Sequence, residues 1–240
     1  MTITERAGLR RFPVVTVVVF AATATVNLLQ FAVHGVLGEL QRTPAGLHGE
    51  WWRSGTSLFV QDGGALGTVS NLLFLLLVGA VAEQVLSRSR WLSHYFGVGV
   101  VCEFVAYAWQ PTGGGNSIAI CALAGAAAPA LWRADPRLPG SAAQILLLWS
   151  AAMLGTLWPG ALIPAFVTCA VASALVSVGK ERGISVHRPA ALVVPIVGAA
   201  LAVAQNIHGA ALLLGGALAV LPVARATGRG GRVRLAWRLR

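Results

Sequence analysis

Charged residues are scarce in this chain. They make up 11% of its 240 residues, whereas 56% are hydrophobic, and the mean hydropathy is +0.73. A soluble globular domain carries close to a quarter of its residues as charged side chains. Disorder is excluded as well, because a disordered chain is poor in the apolar residues that dominate here. The composition therefore predicts an all-α, polytopic bundle of transmembrane helices, with room for six to eight spans of about 20 residues each.

Several chemical signatures are also missing. The chain has no glycine-rich phosphate loop, no His-Glu-x-x-His helix and no pair of intramembrane aspartates. This excludes ATPase, zinc metalloprotease and aspartyl protease chemistry. The three cysteines lie in apolar stretches without CxxC spacing, so they are interpreted as packing residues rather than metal ligands. No metal and no cofactor is expected.

Eight apolar segments of helical length follow one another, separated by proline, glycine or charged residues. We predict helices at about 12–34, 67–85, 91–109, 116–132, 142–158, 160–178, 189–204 and 206–224. The last two could instead form one helix over 189–224, but such a helix would extend about 54 Å, too long for one bilayer. The first segment exceeds the apolar core of a signal peptide, so a retained first helix is expected.

Positive charge is distributed unevenly between the two sides of this layout. With the N-terminus in the cytoplasm, 16 of the 18 Lys and Arg residues are cytoplasmic, and only Arg42 and Arg53 lie outside. This bias predicts an integral protein of the plasma (cytoplasmic) membrane with both termini cytoplasmic. The chain then divides into a cytoplasmic segment (1–11), a transmembrane domain (12–224) and a basic cytoplasmic tail (225–240). The tail is expected to contact anionic lipid headgroups rather than nucleic acid.

The first outer loop, 35–66, is long and carries more apolar surface than a free polar loop would. Trp51 and Trp52 stand among its few charged residues. Tryptophan favours the headgroup region of a bilayer. The loop is therefore predicted to lie in the membrane interface.

Three polar side chains fall at one predicted depth. Asn71, Ser117 and His208 each lie within a turn or two of the outer end of their helices. Serine with histidine is a minimal nucleophile and general base, and an asparagine amide can stabilise an oxyanion. A non-catalytic interpretation stays open, because a serine at a helix start is commonly a cap and a histidine near an interface is commonly solvated. Glu103 has no evident cation partner and is expected to be a protonated acid bonding across helices or a cavity residue.

Sequence motifs in a consistent order resemble the rhomboid family of intramembrane serine proteases. The segment 115–125, Gly-Asn-Ser-Ile-Ala-Ile-Cys-Ala-Leu-Ala-Gly, resembles the family's nucleophile motif and the helix after it. Three further landmarks occur in family order: Trp52-Arg53 in the first loop, Asn71 with Gly79 and Glu83 in the second helix, and His208 with Ala211 and Gly215 in the last. These motifs cover most of residues 12–224. They imply a rhomboid-like core with about two extra helices.

The resemblance implies a function and a role for each residue. Ser117 would be the nucleophile and His208 the base of a dyad, with Asn71 and the Ser117 backbone amide as oxyanion donors. Trp52 and Arg53 would be structural residues of the interfacial loop. The chain would be an intramembrane serine endopeptidase that cleaves transmembrane segments of other proteins without a cofactor.

The sequence departs from the family pattern at four points. Gly67 stands where the family has an oxyanion histidine, Ile118 where it has glycine, and Cys121 where an aromatic residue is common. Three predicted helices, rather than one, separate Ser117 from His208. The alternative is therefore a catalytically inactive rhomboid-like protein that binds transmembrane segments. An unrelated transporter or scaffold is disfavoured, because the helices show no internal repeat and few charges that would coordinate a solute.

Overall fold

The computed structural model describes residues 8–158 and 162–221. Residues 1–7 of the predicted cytoplasmic segment (1–11) and the whole of the predicted basic tail (225–240) lie outside these ranges. Within them every regular element is helical, and the β-type contact is a single antiparallel bridge between Arg42 and Gly113. The predicted all-α helical bundle is confirmed.

Eleven α-helices in the described ranges are numbered in chain order. They are α1 (Val14–Ala32), α2 (Val36–Leu40), α3 (Arg53–Thr56), α4 (Gly64–Val85), α5 (Arg88–Leu92), α6 (Gly99–Trp109), α7 (Ser117–Trp132), α8 (Ala142–Gly155), α9 (Leu162–Glu181), α10 (His187–Val203) and α11 (Ile207–Val220). A π-helical turn, Ser93–Val98, joins α5 to α6, so these two form one long segment. Every predicted helix therefore has a counterpart, within a few residues at its ends.

The separation of the last two helices has a local cause. Gln205 adopts a left-handed conformation, with φ of 55°, which ends α10. The side chain of Asn206 then accepts a hydrogen bond from the backbone N–H of His208 and caps α11. A helix start needs such an acceptor, since its first N–H groups have no partner in the helix. The prediction of two helices is correct, and the single helix over 189–224 is excluded.

Helix α7 lies at the centre of the bundle, packed against α4, α10 and α11. Its sequence is rich in alanine, and small side chains let neighbouring helices approach closely within a membrane. By contrast, α9 packs on α8 at the periphery and presents most of its surface outward. Three helices are long and apolar enough to span a bilayer: Val14–Ala32, Gly64–Val85 and Ile163–Glu181. The other apolar helices of the core, α7, α8, α10 and α11, are shorter.

A group of buried polar side chains joins the end of α4 to the start of α1. The carboxylate of Glu83 accepts hydrogen bonds from Val15 N (3.1 Å), Thr16 N (2.9 Å) and Thr16 Oγ1 (2.8 Å). The neighbouring Gln84 accepts from Arg10 N (3.1 Å) and donates to Arg11 O (3.1 Å). We call Thr16, Glu83 and Gln84 the Glu83 cluster. It supplies the acceptors and the negative charge that a helix N-terminus requires.

Candidate active site

Three consecutive glycines, 113–115, lie just before the start of α7. Gly113 pairs with Arg42 through two backbone hydrogen bonds of 2.8 and 3.0 Å. Gly114 donates to the Asp62 carboxylate (3.1 Å), and Gly115 donates to the carbonyl of Ser57 (2.9 Å). The first loop therefore holds this segment at three successive points, and Ser117 follows as the first residue of α7.

Ser117 and His208 contact each other directly. The Oγ of Ser117 lies 2.8 Å from Nε2 of His208, although the two residues are 91 positions apart. The other ring nitrogen, Nδ1, lies 2.7 Å from Oδ1 of Asn206. An amide oxygen only accepts, so Nδ1 carries the proton and Nε2 is the acceptor for the Ser117 hydroxyl. This is the tautomer that a general base needs.

The partner of the imidazole is itself held in place. Nδ2 of Asn206 donates to Oγ1 of Thr156 (3.2 Å), and that hydroxyl donates to the carbonyl of Met153 (2.6 Å). The chain of contacts therefore runs from α7 through the start of α11 to the end of α8. The orientation of the Asn206 amide follows from its Thr156 contact.

Two glycines allow α7 and α11 to pack closely enough for this contact. A Cβ on Gly215 would overlap the carbonyl of Ala122, and a Cβ on Gly125 would overlap the carbonyl of Leu212. Each helix thus presents a glycine to the backbone of the other. Such close approach of small residues is typical of helix pairs in membranes. It determines how near the start of α11 lies to the start of α7.

Ser117 and His208 line one wall of a cavity of about 460 Å³. Asn71 of α4 lines it too, and its side chain is buried yet makes no hydrogen bond to any described residue. Gln61, just before α4, is a further polar residue of the wall. The remaining wall is largely apolar and comes from α4, α8 and α9, with Phe74, Trp149, Met153 and Phe166. We call Gln61, Asn71, Ser117, Asn206 and His208 the Ser117 cluster.

A second, smaller pocket of about 120 Å³ lies against the same two side chains, Ser117 and His208. Its other lining residues include Arg42, Asp62 and Gln110. This volume and its polar walls can hold water molecules. Ser117 and His208 therefore border both a largely apolar cavity and a polar pocket.

The structure brings together three of the predicted site residues and leaves two apart. Asn71, Ser117 and His208 share the large cavity. Arg53 is buried in the first loop, where it donates to the carbonyls of Gly38 (2.6 Å) and Gln41 (3.1 Å) and pairs with the Glu50 carboxylate. Trp52 is exposed and packs edge-on against Trp51.

The expectation that Glu103 has no cation partner is wrong. Its carboxylate forms an ion pair with the Arg42 guanidinium, and both side chains are buried. Arg42 also donates through Nε to the carbonyl of Gln110 (3.0 Å). The two residues are 61 positions apart, and a loop residue folding back onto α6 leaves no spacing signal in the sequence.

Sequence reasoning missed two polar residues of this site. Asn206 stands two residues before His208 at a helix start, and an Asn-x-His pattern at an N-cap was the signal available for it. Gln61 sits in an irregular segment and carries no comparable signal. The residues that depart from the expected pattern are placed differently: Ile118 and Cys121 are buried in the core, whereas Gly67 lines the cavity. Among the described residues, no three His, Cys, Asp or Glu side chains form a group that could hold a metal.

Two comparisons with known proteins bear on this arrangement. The family model described as Rhomboid domain matches residues 48–172. The match begins in the first loop, includes Ser117 and ends within α9, so His208 lies beyond it. Among curated proteins, none matches the chain.

Proposed function

We propose that this chain, which belongs to the rhomboid family, is an intramembrane serine endopeptidase with Ser117 as nucleophile and His208 as general base. Membership of the family and the apolar helices make it an integral membrane protein. The observation that carries the proposal is the 2.8 Å contact between Ser117 Oγ and His208 Nε2, with Nδ1 held by Asn206. A helix cap or a solvated histidine does not require both ring nitrogens to be engaged in this way.

The proposed reaction begins when His208 Nε2 takes the Ser117 proton as Oγ attacks the scissile carbonyl carbon. The Oγ–C bond forms, and the carbonyl electron pair moves to oxygen. N–H donors of the Asn71 amide and of the Ser117 backbone, which has no acceptor within α7, stabilise that oxyanion. The imidazolium returns the proton to the leaving amine, and the C–N bond breaks. A water molecule from the polar pocket then repeats the sequence on the acyl-enzyme.

The proposed substrate is a transmembrane segment of another membrane protein. The apolar walls of the large cavity suit one apolar side chain of that segment beside the scissile bond. Asn206 holds the imidazole in the basic tautomer, and it extends the proposed dyad to a Ser-His-Asn triad.

The test compares cleavage of a transmembrane substrate in liposomes by the wild type, Ser117→Ala and His208→Ala. Both substitutions are expected to lower kcat at least about 10³-fold, because nucleophile and base act as a unit. A fluorophosphonate probe should label the wild type and fail to label Ser117→Ala. The matched controls Ser177→Ala and His34→Ala alter exposed residues away from the cavity and should retain activity.

One outcome favours the alternative of a binding protein without catalysis. Gly67 and the buried Ile118 are the residues that motivate it. If the wild type captures the substrate in detergent but neither cleaves it nor reacts with the probe, the catalytic proposal fails and the binding function replaces it.

We further propose that the Ser117 cluster faces the outside of the plasma membrane, with both termini cytoplasmic. The excess of Lys and Arg in the segments that this topology makes cytoplasmic supports the orientation. Reporter domains fused to each terminus should be active in the cytoplasm. A terminus that reports from outside would reverse the topology.

A further inference from the structure

Gln61 is held in the wall of the large cavity by its main chain. Its backbone N–H donates to Gln30 Oε1 (2.8 Å), and its carbonyl accepts from Gln30 Nε2 (2.6 Å). Both bonds come from one side chain of α1, so the backbone of Gln61 is fixed on both sides. The direction in which its side chain leaves the main chain is fixed with it.

The side-chain amide of Gln61 is buried but forms no hydrogen bond with a described residue. Its Oε1 is fully enclosed and has no hydrogen-bond partner among the described residues, and its Nε2 donates to none of them either. Buried polar groups are normally paired, and an exception in a native fold needs an explanation. Leaving a buried amide oxygen without a protein partner is unfavourable unless water or a ligand in the site supplies one.

The position of this amide relates it to the proposed nucleophile. Its Nε2 lies 2.9 Å from the point where a Cβ on Gly67 would stand, so it fills the space that this glycine leaves open. A Cβ on Gly115 would lie 2.5 Å from Gln61 Oε1 and 3.4 Å from Ser117 Oγ. The Cβ position of Gly115, beside the smaller pocket, is therefore within contact distance of both the amide oxygen and the serine hydroxyl.

We propose that the Gln61 side-chain amide is a catalytic residue that donates a hydrogen bond to the oxyanion formed when Ser117 attacks the substrate carbonyl. The inference rests on the proposed function, since it needs that reaction. Gln61 transfers no proton: its N–H stays intact while charge develops on the substrate oxygen. A half-turn of the amide exchanges its two ends, so an N–H can face either Gly67 or Gly115.

This role explains why Gln61 and Gly67 occur together. A Cβ on Gly67 would lie 2.9 Å from Gln61 Nε2, so a side chain there requires the amide to move out of this space. The donor comes from the segment before α4 instead of from its first turn. Asn71, one turn further along α4, provides the second side-chain donor of the same cavity.

The test uses the full-length protein in liposomes with a transmembrane peptide substrate. Gln61→Met keeps the length of the side chain and removes the donor. It is expected to lower kcat by about 10²–10³-fold, the usual loss for one oxyanion donor, while KM changes less than about threefold. Gln144→Met, on α8 and away from the cavity, is the matched control and should keep wild-type kcat.

A second variant tests the shared space and does not depend on the first. Adding Gly67→His to Gln61→Ala should restore at least about tenfold of the kcat that Gln61→Ala alone loses, because an imidazole N–H then enters the vacated volume. In the wild-type background, Gly67→His should give no gain, since the amide occupies that volume. A merely structural role of Gln61 would not produce this rescue.

The outcomes separate the two proposals. If the wild type cleaves, and Gln61→Met retains kcat within threefold, the oxyanion role of Gln61 is overturned while the proposed dyad stands. If the wild type neither cleaves nor labels with a fluorophosphonate, both proposals fail together. Loss of kcat with rescue by Gly67→His supports the donor role.

Discussion

Two polar clusters lie along α4, and they differ in how completely their hydrogen bonds are satisfied. In the Glu83 cluster, both carboxylate oxygens accept from the start of α1, and Gln84 donates and accepts in the same region. In the Ser117 cluster, the side-chain amides of Gln61 and Asn71 have no partner among the described residues. The Glu83 cluster is buried, and in the Ser117 cluster Gln61, Asn71 and Asn206 are buried while Ser117 and His208 are partly exposed. Polar side chains of both kinds are expensive to place in a membrane.

The difference separates two uses of polarity inside a bilayer. A side chain whose partners all come from the protein stabilises a helix arrangement and has no free hydrogen-bonding group for a ligand. A side chain that faces a cavity with unused hydrogen-bonding capacity stabilises something that enters the cavity. Substitutions in the first cluster should therefore change stability, whereas substitutions in the second should change turnover.

Apart from the substitutions of Ser117, His208 and Gln61 described above, the largest effect is expected where helix packing sets the geometry of the Ser117 cluster. Gly215→Ala places a methyl group against the carbonyl of Ala122 and forces α11 away from α7. A displacement of about 1 Å between reacting groups costs about 10²-fold in rate, so kcat should fall by at least that factor. Measurement is by peptide cleavage in liposomes.

Gly216→Ala is the matched control for that variant. Its Cβ would lie 3.4 Å from the carbonyl of Gly125, an ordinary contact, so kcat should stay within about twofold. Equal effects of the two alanines would show that the α7–α11 distance does not govern the site.

A smaller loss is expected when the imidazole loses its partner. Asn206→Ser keeps a good helix cap but removes the Nδ1 acceptor, so kcat should fall about 30-fold while thermal unfolding is unchanged. Asn206→Asp restores an acceptor at the same position and should recover most of the activity. A full loss of stability with either variant would assign Asn206 to the fold rather than to the chemistry.

The opposite pattern is expected in the Glu83 cluster. Glu83→Gln turns one acceptor into a donor facing the donors of Thr16, and should lower the free energy of unfolding by about 1–3 kcal/mol. The kcat of the folded fraction should change less than about twofold. Unfolding in detergent is measured beside the control Glu181→Gln at an exposed helix end, which should be neutral. A large drop in kcat at full stability would contradict the assignment of this cluster to structure.

The smallest effect is expected one contact further from the chemistry. Thr156→Val removes the hydroxyl that accepts from Asn206 Nδ2, and kcat should fall only about threefold, because Asn206 still bonds the imidazole and the backbone of α11. Thr25→Val, at an exposed site on α1, provides the baseline in the same assay. An effect as large as that of Asn206→Ser would extend the catalytic chain of contacts to α8.

The positions of the helices could be predicted from the sequence because hydropathy and helix-breaking residues act locally. The same pattern predicted a common depth for Asn71, Ser117 and His208, because the rise per residue of a helix converts residue number into distance along its axis. Lateral contact could not be predicted in this way. The approach of α11 to α7 depends on Gly125 and Gly215, whose effect appears only when the two helices face each other.

Contacts made by irregular segments were the least predictable. Two such contacts join loop residues to distant helices. Arg42 forms an ion pair with Glu103, and the Gln30 side chain forms two hydrogen bonds with the Gln61 backbone. Hydrophobic periodicity carries no information about such pairs, because the loop residue of each pair does not belong to a helical repeat. Asn206 lies between these cases: its capping role follows from its place before α11, but its contact with the imidazole required the fold.

The separation of 91 residues between Ser117 and His208 has a consequence during synthesis. In a growing chain α7 is made before α8, α9 and α10, and α11 follows them all. Until α11 docks, Ser117 has neither His208 as a base nor Asn206 to orient that base. In the proposed enzyme, an unfinished or truncated chain therefore holds an unactivated serine beside the other nascent proteins of the membrane. Turnover in the proposed enzyme therefore begins only after α11 has packed against α7.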